Sequence, residues 1–188
     1  MMWLVLGVVL WSVVHLYPSV AASHRNKLSA SMGNAYQGIF ALLIVGSIVL
    51  MVFGWKNTIP TQIYTPPTWG RHLTMLLILI AIILFGAANV KTRIREWIRH
   101  PMLTGMLVWS IGHLLANGDS RSVVLFGGLG LWAIVSQLTI NKRDGAWVKP
   151  TDSKGLKTEI ILVVVSLVLY AGLLFLHPYF AGMSVMVR

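Results

Sequence analysis

Cysteine is absent from the 188-residue chain, and only 11% of its residues are charged. Without thiols there is no structural disulfide, no iron–sulfur cluster, no thiolate-ligated haem and no cysteine nucleophile. A soluble domain carries about a quarter charged residues, so the polar surface needed to face water is missing. Acidic residues are scarcest, five in all: Glu96, Asp119, Asp144, Asp152 and Glu159. None sits in the middle of an apolar run, which argues against paired-carboxylate catalysis and a carboxylate proton relay. No Ser-His-Asp set with buried geometry presents itself either. What is abundant is apolar: 56% hydrophobic residues and a mean hydropathy of +0.76. The class left standing is an integral membrane protein, an all-α polytopic helical bundle forming a single domain over residues 1–188.

Six windows hold no Asp, Glu, Lys or Arg: Met1–His24, Leu28–Trp55, His72–Val90, His100–Gly118, Ser122–Asn141 and Ile160–Val187. A helix needs roughly 20 residues to cross a ~30 Å hydrocarbon core. Trimming polar ends predicts helices near 2–17, 36–55, 72–89, 101–116, 122–140 and 158–180. The first lacks a preceding basic residue and is read as a retained span rather than a cleaved signal peptide, although Val20-Ala21-Ala22 weakly resembles a cleavage site. The net charge of +10 follows from topology. Eleven Lys and Arg lie in the first, third and fifth gaps (Arg25, Lys27; Lys91, Arg93, Arg95, Arg99; Lys142, Arg143, Lys149, Lys154, Lys157). Four lie elsewhere: Lys56, Arg71, Arg121 and Arg188. The positive-inside rule then puts both termini outside, and no nucleic-acid partner is needed to explain the charge.

Local signals agree. Trp55 and Trp69 end spans at the interface, and Pro60, Pro66 and Pro67 make the second loop non-helical. Lys91–Arg99 reads as an interfacial segment, Pro101 suits a first helical turn, and Gly127, Gly128 and Gly130 allow close helix approach.

Six histidines in so apolar a chain are the informative feature, because ionisable groups inside spans are costly. His24 reads as a solvated loop residue and His177, beside Pro178, as an interfacial one. His72, after Arg71, fits capping or headgroup contact as well as a cofactor role. His100, before Pro101, is a structural residue at a helix start or a ligand. His15 and His113 lie inside spans, where cofactor ligation competes with a buried hydrogen bond to a neighbouring helix. Two neutral imidazoles from facing helices, with no thiol available, describe a bis-histidine haem b site in a bundle. Two histidines with few carboxylates make a poor cage for a bare transition metal.

The run Arg99-His100-Pro101-Met102-Leu103-Thr104-Gly105, then Trp109, then His113-Leu114-Leu115-Ala116-Asn117-Gly118-Asp119, resembles the signature of the NnrU family. His15 and the stretch Thr65–Leu73, with Arg71 and His72, are similar too, so the resemblance covers nearly the whole chain. It implies a multi-span bacterial inner-membrane protein linked to nitrite and nitric oxide reduction. The family in turn resembles the plastid zeta-carotene isomerase, a haem b enzyme acting on an apolar polyene. That likeness implies haem iron ligands at His15 and His113, and puts Ser110 where the isomerase has a cysteine. Arg-His-Pro-x-x-x-Gly also occurs in membrane methyltransferases of the isoprenylcysteine type, which bind S-adenosylmethionine. Their Glu-rich C-terminal motif has no counterpart among Asp144, Asp152 and Glu159.

In an up-and-down bundle, His15 and His113 differ in height by roughly 15 Å at 1.5 Å per residue. Pairs of similar height are His15 with His100 and His72 with His113. The leading expectation is a haem b protein carrying redox or isomerase-like chemistry on an apolar small molecule in the bilayer. Its rival is a non-catalytic assembly or maturation factor for a denitrification reductase, using Arg99, His100 and the basic segment to hold a membrane-protein partner. A small transporter would show repeats or broken helices mid-span, and the sequence shows neither.

Overall fold

The computed structural model describes residues 1–182 and Val185; Arg188, counted above on the outer side, lies outside them. Among the described residues the chain is helical, without a strand beyond one isolated bridge between Gln62 and Asp119. The helices are α1 Met2–Val20, α2 Ala22–Met32, α3 Asn34–Lys56, α4 Gly70–Ala87, α5 Ile94–Trp97, α6 Pro101–Ala116, α7 Ser120–Ser122, α8 Gly128–Asp144 and α9 Leu156–Ala181. A single π turn, Val123–Gly127, joins α7 to α8, so 120–144 is one continuous rod.

Five of these rods are long and apolar enough to cross a bilayer: α1, α3, α4, the 120–144 helix and α9. The sixth expected span, α6, starts and ends where Pro101 and Asn117 predict, but has only 16 residues. That is about 24 Å of helix against a hydrocarbon core of about 30 Å.

One expectation about the first gap needs correction. His24 is not in a loop: polar residues 22–32 form α2, and the His24 ring bonds the Tyr17 hydroxyl at 2.7 Å. The helix ends because Gly33 turns at φ +55°, a conformation that glycine adopts without a Cβ penalty. The third gap, expected to lie along the interface, is helical only over the four residues of α5, with Trp97 projecting from it.

Helix packing orders the long helices as a row: α3 on α1, α1 on α8, α8 on α6, α6 on α4, and α4 on α9. Small residues set the closest approaches. Gly7 meets the α3 backbone at Ser47 and Met51, Gly54 meets Leu4, Gly128 meets Val8, and Gly130 meets Ser110. Gly105 lies under the Phe85 ring, where an added Cβ would come within 2.9 Å. Leu129, Trp132 and Ala133 of α8 form the buried centre, with Trp11 and Leu16 of α1 on one side and Leu107 and Trp109 of α6 on the other. The two end helices, α3 and α9, leave most of their aliphatic surface outward, which fits acyl chains rather than water.

The second loop is clamped to the α6–α7 turn. The N–H groups of Ile63 and Tyr64 donate to the Gly118 carbonyl at 2.8 and 3.1 Å, and Ser120 N–H donates to Thr61 at 2.8 Å. The Tyr64 hydroxyl reaches the carbonyls of Leu114 and Asn117. Gly118 and Gly70 lie so close to the carbonyls of Tyr64 and Leu115 that no side chain fits at either. At the opposite end Lys91 pairs with Asp152 at 2.6 Å, and Arg93 N–H donates to Glu159 at 2.7 Å. The Lys91 ammonium holds the Asp152 carboxyl below the usual carboxylate range.

A histidine-lined cavity between α4, α6 and α9

The clamp fixes the C-terminal end of α6 against the start of α4, and a cavity of about 370 Å³ opens between α4, α6 and α9 at that end. Its wall carries Arg71, Thr74, His113, Asn117, Tyr170 and His177 among aliphatic and aromatic neighbours, and no acidic residue among the described ones. The volume lies in the ~300–1,000 Å³ range of small-molecule and cofactor sites. Thr74 closes the α4–α6 seam by donating to the Gly112 carbonyl at 2.6 Å. The Asn117 amide caps α6 by donating to the His113 carbonyl at 2.9 Å.

His113 Nδ1 lies 2.9 Å from the Trp109 carbonyl oxygen. A carbonyl can only accept, so this nitrogen carries the ring proton. In the neutral ring Nε2 then keeps its lone pair, the tautomer that metal-ligating histidines use. The ring is stacked on Phe126 with centroids 4.3 Å apart, and Trp109 packs edge-on against the same phenyl at 4.9 Å. His113 is also one of the residues that line the cavity.

His15 repeats this chemistry elsewhere. Its Nδ1 lies 2.9 Å from the Trp11 carbonyl, and its ring sits between Trp11, Trp132 and Phe40 with centroids 4.1, 5.2 and 5.9 Å away. The indole N–H groups of Trp11 and Trp132 beside it are buried without a partner among the described residues, as are the hydroxyls of Ser110 and Ser136. Each imidazole alone fits a haem iron by donor chemistry, but the two do not share a cavity. His15 contacts Trp132 and His113 contacts Phe126, six positions apart on one helix, or about 9 Å of axial height. The buried cluster around Leu129 and Trp132 fills the space between α1 and α6. Of the two imidazoles, His113 lines the described cavity and His15, packed against Trp132, does not.

The other signature residues do structural work. His100 Nε2 meets the Asn141 carboxamide oxygen at 2.8 Å, tying the start of α6 to the end of α8. His72 is exposed on the first turn of α4 and does not line the cavity. Arg99 donates to the Gly145 carbonyl at 2.8 Å, and Pro101 opens α6. Asp119 caps the next helix: its carboxylate accepts from the N–H groups of Arg121 and Ser122 at 3.0 and 3.2 Å and from the Ser122 hydroxyl at 2.6 Å. Burial pushes its carboxyl up, but those three donors and the Arg121 guanidinium outweigh burial and hold it below its usual value. Arg121 lies over the Trp55 ring at 4.6 Å. Ser110 is 1% exposed against Gly130, on the α8 side of α6, and does not line the cavity.

The residue that sequence reasoning undervalued is His177. It is not simply interfacial: it lines the same cavity as His113, with Phe180 edge-on at 5.1 Å. The signal lay in helical phase. At about 100° per residue, Ser166, Tyr170 and His177 fall within about 40° of one another, a polar stripe on an otherwise aliphatic helix. Leu162 and Ser166 on that stripe are buried.

Neither a search of curated proteins nor one of solved structures found a match. The family model described as NnrU protein matches residues 3–185, nearly the full length. The signature residues thus have a place in the fold as well as in the family pattern, and the chain belongs to the NnrU family.

Proposed function

We propose that this protein is a six-span bacterial inner-membrane protein, both termini outside, that binds haem b at the α4–α6–α9 cavity with His113 as an axial ligand. The observation that carries the reading is the His113 ring, which gives Nδ1–H to its own helix and lines a cavity with no carboxylate among its described residues. Arg71 in the same wall supplies positive charge suited to the two carboxylates of haem b. When bound, the haem would supply one-electron or ligand-binding chemistry to an apolar molecule in the bilayer, consistent with a role beside nitrite and nitric oxide reduction. The chain's own part is to orient the ring, exclude water and hold the cavity open at the membrane surface.

The purified protein, titrated with haemin in mild detergent, should bind one equivalent and give sharp Soret and α bands on reduction. His113→Ala should lose them and His24→Ala should keep them. A protein that stays colourless, with His113→Ala changing only stability, would instead support the assembly-factor role. The topology has its own test, made simple by the absence of cysteine. Ile59→Cys should react with an impermeant maleimide added outside intact cells, and Ser29→Cys should not.

A further inference from the structure

We infer that His177, not His15, is the second axial ligand of that haem, so that the iron is held between α6 and α9 with α4 as the floor. The inference rests on the haem reading above and concerns which side chains complete it.

The first support is juxtaposition. His113 and His177 line one cavity, whereas His15 lies beyond the packed Leu129–Trp132 cluster. The second is helix spacing. Two imidazoles on one iron hold their backbones roughly 12–13 Å apart, wider than the 8–10 Å of directly packed helices. Both α6 and α9 pack on α4, and neither packs substantially on the other. A bis-imidazole bridge can use such a spacing, and between α6 and α9 the intervening space is the cavity, whereas between α1 and α6 it is filled by Leu129 and Trp132. The third is helical phase, which turns Ser166, Tyr170 and His177 to the same side of α9. Histidine on this stripe faces the cavity, while the lipid face of α9 carries Val168, Phe175 and Leu176. Two neutral imidazoles add no charge to an apolar site.

The experiment is haemin titration of the full chain in detergent, read by absorption and electron paramagnetic resonance. Wild type should be six-coordinate and low-spin. His177→Gly should turn high-spin and lose at least about tenfold in haem affinity, the loss that even an outer-shell partner costs. Added imidazole should restore the low-spin spectrum, which a merely misfolded variant would not regain. His15→Ala should keep the wild-type spectrum. If His177→Gly stays low-spin and His15→Ala turns high-spin, the ligand assignment is overturned while the haem site stands. If the wild type binds no haem, both the site and the assignment fall.

Discussion

Replacing Asp119 by alanine tests whether the α6–α7 turn is held by its carboxylate. The substitution removes an N-cap that accepts from two backbone N–H groups, worth about 0.5–2 kcal/mol. It also strands the Ser122 hydroxyl, whose residue is fully buried and whose partner is Asp119 Oδ2 at 2.6 Å. A buried hydroxyl left without an acceptor costs about 1–3 kcal/mol, so the combined loss should be about 2–4 kcal/mol. Unfolding in mixed micelles of rising dodecyl sulfate fraction, followed by tryptophan fluorescence, reads this directly, with Trp55 beneath Arg121 as a local reporter. The double variant Asp119→Ala/Ser122→Ala should recover about 1 kcal/mol or more, because the orphaned hydroxyl goes with it. The pH dependence has a fixed sign. Since the folded carboxyl is held below its usual value, its stabilisation is complete above the unfolded pKa of about 3.9 and is lost as pH falls through the lower folded value. A loss under about 0.5 kcal/mol, or wild-type stability that rises as this carboxyl is protonated, would refute the capping argument.

Other outcomes follow from single contacts. Gly118→Ala should cost about 1–3 kcal/mol, because its Cβ meets the Tyr64 carbonyl, a backbone atom that cannot yield. Gly38→Ala, with nothing within 4 Å in the second turn of α3, should be neutral or stabilising by up to about 1 kcal/mol in the same unfolding assay. His100→Ala should cost about 1 kcal/mol through the lost Asn141 bond and leave any haem spectrum unchanged. Ser136→Ala should be neutral or stabilising by up to about 1 kcal/mol, since its buried hydroxyl has no partner among the described residues.

Much of the architecture was written in charge placement. Apolar runs bounded by Lys and Arg located every long helix to within a few residues, because burying backbone polar groups in an apolar medium leaves the helix as the economical solution. Pro101 and Asn117 marked α6 to the residue. The misses have local causes. Segment 22–32 carries no apolar stripe, so nothing in its pattern announced α2. The π turn at Val123–Gly127 has no composition of its own; glycine packing of α8 against α1 accompanies it.

The candidate site divides the same way. Sequence alone established that His15 and His113 sit in apolar runs, that no thiol is present and that no carboxylate lies in the middle of such a run, since composition and run length do not depend on how helices pair. Which imidazoles line one cavity was a matter of packing order. Setting α8 between α1 and α6 closed that seam with Trp132 and Leu129, while α4 held α6 and α9 apart. A histidine's height in the membrane is one coordinate read along the chain. Its neighbour across a cavity depends on rotation and lateral placement of whole helices, which many weak side-chain contacts fix together.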